Sequence, residues 1–205
     1  MSRQHFQPIV QASQAAQGLG LARIKSFDTC KLENLMETLN PATRTELDEP
    51  QVVITRVFDA PCELVFNAWT DPEQLVRWYA PHGCTIEYRQ IDIREGGTFH
   101  SCIRTPDGFQ CWCIGEYREI IVPEKIVCTM VISNANGDRI PPVDAGHESD
   151  WPAETILTVT FADQDGKTKL TLHQNVRESV AQRTGALPSW LQMLDRLAVQ
   201  LEIVR

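Results

Sequence analysis

The chain has 205 residues, 42% of them hydrophobic, which is enough for one sizeable core and predicts a single domain with an extension. Its formal net charge of -8 disfavours partners held by phosphate attraction, so nucleic acid and anionic membrane surfaces are not expected ligands. No run approaches the roughly 20 apolar residues of a membrane-spanning helix, the opening MSRQHFQPIVQASQ lacks a continuous apolar segment of the signal-peptide kind, and seven cysteines without a regular framework predict reduced thiols in a cytoplasmic setting.

Residues 1–50 are Gln-, Ala- and Ser-rich in stretches and contain no Trp. Leu32, Leu35, Met36 and Leu39 would share one side of a short helix, and NPATRTELDEP (40–50) reads as a polar linker. Met36 is a candidate natural start, with 1–35 a dispensable arm; a docking helix is the alternative. The domain proper is predicted over 51–205.

From Gln51 the patterning sharpens. QVVITRVF is strand-like, and APCELVFNAWT switches to helical spacing with Leu64, Val65, Ala68 and Trp69 on one face and Pro61 in the first turn. TDPEQLVRWY restarts a short helix, with Asp71 as N-cap and Pro72 at the first position. Six strand-like runs follow, near 84–93, 97–104, 109–121, 125–133, 154–162 and 167–176. REGG, TPDG, VPEK and DQDGK supply turn chemistry between them. The insert between Asn134 and Trp151, with two prolines and two glycines, is predicted as a surface loop at the open end of the sheet. LPSWLQMLDRLAVQLEIVR closes the chain as a long amphipathic helix. Its apolar stripe is Leu187, Trp190, Leu191, Leu194, Leu197, Ala198 and Leu201, and its polar side is Gln192, Asp195, Arg196 and Gln200. The order predicts an α+β fold in which this helix covers one face of an antiparallel sheet. A gap left at one end would form a pocket roofed by the two short helices and the insert.

That order resembles the helix-grip fold of the START-like (SRPBCC) superfamily, a curved antiparallel sheet of about seven strands around a long C-terminal helix. ITRVFDAPCELVFNAWTDPEQLVRWYAPHG resembles the opening signature of the family of the Hsp90 ATPase activator C-terminal domain. DIREGGTF, TPDG, GEYREIIVPEKIV, LTVTFADQDGKTKLTL and WLQMLDRLAVQL follow its pattern in order, so the likeness covers about 51–203. The resemblance implies binding or carriage of a small, largely apolar molecule between sheet and helix. It leaves two alternatives, a cofactor-free cyclase or lyase in the same cavity and a chaperone accessory. Residues 1–50 are too short for a separate chaperone-binding domain, which weakens the latter. Fold likeness does not choose among them. A homodimer stays open.

No GxSxG, P-loop, GxGxxG or HExxH motif is present, so no catalytic residue, cofactor or metal is predicted. The Gly pair of REGG joins strands and reads as structural. In TIEYRQIDIR, alternation puts Tyr88 and Asp92 on one face and Arg89 on the other. Trp69 and Trp190 read as core. Trp78 and Tyr79, just before the break APHG, read as the pocket mouth, and Tyr88, Phe99, Trp112, Cys111 and Cys113 complete the cavity candidates. His5, His82, His147 and His173 read as ordinary polar residues. With TPDG as a four-residue loop, Cys102 would oppose Cys111 and His100 would oppose Cys113, all on one face. Four ligands from one flat patch converge poorly on a tetrahedron, and a disulfide is at odds with a reducing compartment. The hairpin thiols therefore read as reduced wall residues.

Overall fold

The computed structural model describes residues 49–203. The expected helix over Leu32–Leu39, the start at Met36 and the linker up to Asp48 lie outside the described residues.

The chain runs β1 (Gln51–Phe58), α1 (Cys62–Thr70), α2 (Pro72–Trp78), β2 (Thr85–Ile91), β3 (Thr98–Arg104), β4 (Gln110–Ile121), β5 (Lys125–Ser133), a 3-10 turn (Pro142–Ala145), β6 (Thr155–Gln164), β7 (Lys167–Arg177), α3 (Glu178–Arg183) and α4 (Ala186–Ile203). The strands form one antiparallel sheet in the order β1-β7-β6-β5-β4-β3-β2. This is the helix-grip architecture expected from the sequence. The six-residue α3 is an addition that the pattern did not announce.

Period-two alternation decides what the sheet buries. In β1, Val52, Ile54 and Phe58 point inward while Val53 and Val57 face solvent. In β6 and β7, Leu157, Val159 and Phe161 and then Leu170, Leu172 and Val176 do the same. α1 lays Val65, Phe66, Ala68 and Trp69 on this layer. Pro61 is the N-cap of α1 rather than part of its first turn. In α2 the Asp71 carboxylate accepts from the Glu73 N–H at 2.9 Å, and Pro72 needs no donor at the first position.

α4 buries the expected face at Trp190, Leu194, Leu197 and Leu201, and differs from it at its edges. Trp190, Met193, Leu194, Leu197, Gln200 and Leu201 are buried, while Leu191 is 46% exposed. The reason is a second cover: α4 packs on α2 as well as on the sheet side. The Arg196 guanidinium donates to the carbonyls of Arg77 (2.6 Å) and Ala80 (2.6 Å), and Gln192 Oε1 accepts from the His82 N–H at 3.0 Å. Two residues expected in solvent thus hold the break after α2. Gln200, expected on the polar side, is inside, and its amide finds no partner among the described residues.

Candidate functional site

The cavity begins with small side chains. On β2 to β5 the inward positions include Tyr88, Ser101, Cys113, Cys128 and Met130, where the other half of the sheet carries Leu, Val and Phe. Ser101 pairs with Cys113, Phe99 with Gly115, and Tyr117 with Cys128. Neither α1 nor α4 descends far enough to fill the space. A hollow of about 370 Å3 remains, within the roughly 300–1,000 Å3 usual for small-molecule sites. Trp69, Leu75 and Tyr79 roof it, and Leu157, Trp190 and Met193 bound its inner side. Pro81, Cys84 and Phe109 line it from the break after α2 and the β3–β4 loop, and His147 and Trp151 from the insert.

Gly115 sets the shape of the wall. A Cβ there would collide with the Thr129 carbonyl and with the Phe99 ring, which occupies the place of the missing side chain. Phe99 and Tyr117 then meet with ring centroids 5.7 Å apart.

Five of the expected site residues, Tyr79, Tyr88, Phe99, Cys111 and Cys113, are brought together on the cavity. Trp78 is not among its lining residues. It is 0% exposed, wedged against Trp69 at 4.7 Å, and donates its indole N–H to the Ala68 carbonyl at 2.9 Å. The helix ends at Trp78, so its side chain turns back under α1 while Tyr79 takes the cavity position. Conversely, Trp69 and Trp190, expected as plain core, line the cavity. Trp112 faces the other side of the sheet, under the guanidinium of Arg89 (4.5 Å) and beside the His100 ring (4.9 Å).

Alternation within β4 requires this, since Cys111 and Cys113 on either side of Trp112 face the cavity, and the hairpin register in turn separates the β3 residues from them. Arg104 pairs with Gln110, so the loop has five residues, Thr105–Phe109, closed by the Thr105 N–H to the Phe109 carbonyl (3.0 Å). Every later pair moves by one: Ile103 opposes Cys111, Cys102 opposes Trp112, Ser101 opposes Cys113 and His100 opposes Ile114. A one-residue shift exchanges faces. Cys111 and Cys113 therefore face the cavity while His100 and Cys102 face away, and the four do not share a site. On β2, a bulge at Arg89 ends the alternation, and the strand stops at Ile91. Tyr88 reaches the cavity, but Asp92 lies in the turn and pairs with Arg94 at 2.8 Å.

The lining is uncharged. No Asp, Glu, Lys or Arg side chain lines the cavity among the described residues. All three tyrosines of the chain line it. Burial in this apolar setting raises each phenol's pKa, so the hydroxyls stay neutral donors. The Tyr79 hydroxyl reaches Met130 Sδ at 3.9 Å. Those of Tyr88 and Tyr117 make no hydrogen bond among the described residues. Gln174 is held by the Trp190 indole N–H at 2.9 Å. Cys128 is pushed up to about 12 by burial.

Cys111 differs. The neighbouring Cys113 thiol, and then His147, pull its pKa below the usual thiol range against the opposing cost of burial; Cys113 is raised. Its Sγ lies 3.9 Å from His147 Nε2. Sequence reasoning missed Trp69, Trp190, Tyr117, Cys128 and His147. The alternation of β4 and β5 was the available signal for Tyr117 and Cys128. Nothing local marks His147.

A model of the family described as Activator of Hsp90 ATPase homolog 1-like protein matches residues 59–202. No curated protein matches. Solved structures are similar. A protein from Chromobacterium violaceum shares 25% identity with a TM-score of 0.61, over 74% of this chain and 96% of that one. One from Staphylococcus epidermidis shares 23% with a TM-score of 0.62, over 77% and 93%. An AHSA1 protein from Silicibacter pomeroyi shares 18% with a TM-score of 0.60, over 76% and 100%.

Proposed function

Since the chain belongs to the family of Activator of Hsp90 ATPase homolog 1-like proteins, whose fold commonly leaves room for hydrophobic ligands, we propose that it binds and carries a small, neutral, largely apolar molecule between sheet and terminal helix. The observation that carries this reading is the uncharged hollow of about 370 Å3, lined by apolar and aromatic side chains. Apolar walls favour a ligand's hydrocarbon surface by about 25 cal/mol per Å2 removed from water. An ionised headgroup would lose its hydration there with no opposite charge to meet. The hydroxyls of Tyr88 and Tyr117, open to the cavity and without a side-chain or backbone partner among the described residues, suit a ligand carrying one carbonyl or ether oxygen as acceptor.

The absence of a carboxylate from the lining gives the cyclase or lyase alternative no general base of that kind. An unfilled cavity supports a carrier over a chaperone accessory that works by surface contact alone. Native mass spectrometry of purified full-length protein tests the reading. Retention of a neutral molecule of low mass, displaced by excess 2-nonanone, is the expected result. An empty protein that also leaves 2-nonanone unbound at millimolar concentration would refute it.

A further inference from the structure

Three thiols besides Cys111 line the cavity, and among the described residues only Cys111 is paired with an imidazole. Cys111 stands on β4 opposite Ile103, on the cavity side, with Cys113 two residues along the same face. His147 comes from the insert, not from the sheet. Gly146, in the left-handed region at φ 83°, ends the 3-10 turn and reverses the chain. The His147 N–H then donates to the Pro142 carbonyl at 3.0 Å. The imidazole stacks on Trp151 with centroids 5.3 Å apart and planes 30° apart. Glu148 and Asp150, one and three residues further along, bind Arg183 of α3 at 2.5 and 2.6 Å. The backbone of the insert is thus anchored on both counts, and the ring lies between Trp151 and the sulfur, with Nε2 at 3.9 Å from Cys111 Sγ.

Resting on the carrier reading of the same cavity, we propose that Cys111 is a nucleophile that captures neutral α,β-unsaturated carbonyl compounds by conjugate addition, with His147 as its proton relay. His147 Nε2 takes the thiol proton. The thiolate attacks the β-carbon, forming the C–S bond, and the π electrons of the C=C bond move to give an enolate. The imidazolium returns the proton to the α-carbon. The adduct contains every atom of both partners; nothing is oxidised, no group leaves and no water is consumed, which suits an apolar chamber. The Cys113 thiol stands two residues along the same face of β4, beside the attacking sulfur. The apolar walls accept the hydrocarbon part of the electrophile. A thiolate beside an imidazole is the usual form of an activated cysteine, and a soft, polarisable sulfur prefers a conjugated carbon to a hard carbonyl.

The test treats the full chain with 3-nonen-2-one and follows intact mass over time, with peptide mapping of the product. One adduct per chain, mapped to Cys111, is expected. His147→Ala should slow its formation by roughly 100-fold, the usual reach of a positioned proton-transfer group. Cys111→Ser should abolish the adduct yet still bind the saturated 2-nonanone, which reads the cavity without the chemistry. Addition mapped to Cys62 or Cys84 instead, or an unchanged rate in His147→Ala, would overturn the proposal. So would 2-nonanone binding without any adduct, an outcome that leaves the carrier reading standing. Loss of 2-nonanone binding in the unaltered protein would refute the carrier reading itself. Should Cys111→Ser fail to fold, the adduct map of the unaltered protein decides alone.

Discussion

The same sheet and the same long helix enclose two unlike regions. Across β1, β7 and β6 the inward residues are Val52, Leu170, Leu172 and Val159, each 0% exposed, and the space is filled. Across β2 to β5 the inward positions carry Ser101, Cys111, Cys113 and Gly115, and a hollow of about 370 Å3 remains. Both halves are antiparallel strands with side chains alternating in and out, and the small side chains at these inward positions leave room that the filled half does not have. Stability resides in one region and ligand chemistry in the other.

Mutations can break that division. Trp78→Ala, in the packed aromatic cluster behind the chamber's roof, should cost about 3–5 kcal/mol in urea unfolding, the range for deleting a fully buried aromatic. A small loss together with lost 2-nonanone binding would return Trp78 to the chamber. Alkaline titration probes the hollow side. Folding raises Cys128 from an ordinary 9.0 to about 12, so the folded chain holds a proton that the unfolded chain releases. Its contribution is intact below pH 9 and declines as pH climbs toward 12, by about 1.4 kcal/mol per pH unit. The tyrosines act in the same sense at higher pH. Unfolding at pH 8 and pH 10 should show this decline, and Cys128→Ala should remove part of it; an identical slope in that variant would mean the thiol meets water. Ser101→Leu should occupy empty volume rather than overpack. The expected cost is below about 1 kcal/mol, with at least tenfold weaker 2-nonanone binding. Strong destabilisation would show that the wall has no slack. Leu191→Ala, at a position 46% exposed, should change stability by no more than about 0.5 kcal/mol.

The filled half was largely legible. β-branched alternation in QVVITRVF and LTVTF, the capping Asp71-Pro72 pair and the turn residues are local signals that survive folding unchanged. The hollow half was legible in membership and less so in geometry. TPDG marked the hairpin, but Phe109 joined the loop, and one extra residue exchanged the faces of Cys102 and Cys111. Alternation alone does not fix register; loop length does. The edges of the buried face of α4 were missed for a related reason. Periodicity finds an apolar stripe, whereas Arg196 and Gln192 are drawn inward by unpaired backbone groups in the break after α2, which only the tertiary fold supplies. The Cys111–His147 pair joins positions 36 residues apart across a strand and an irregular insert, and no spacing rule spans that gap.

Gly115 has a practical meaning for anyone who would redesign the chamber. Its missing side chain is already spent on Phe99, so even one added carbon must displace both the Thr129 carbonyl and the ring. The two positions are not interchangeable as handles. Trimming Phe99 would enlarge the room and leave the masonry in place, whereas decorating Gly115 would move the wall. Repurposing for a bulkier guest therefore starts at Phe99, with Gly115 left untouched.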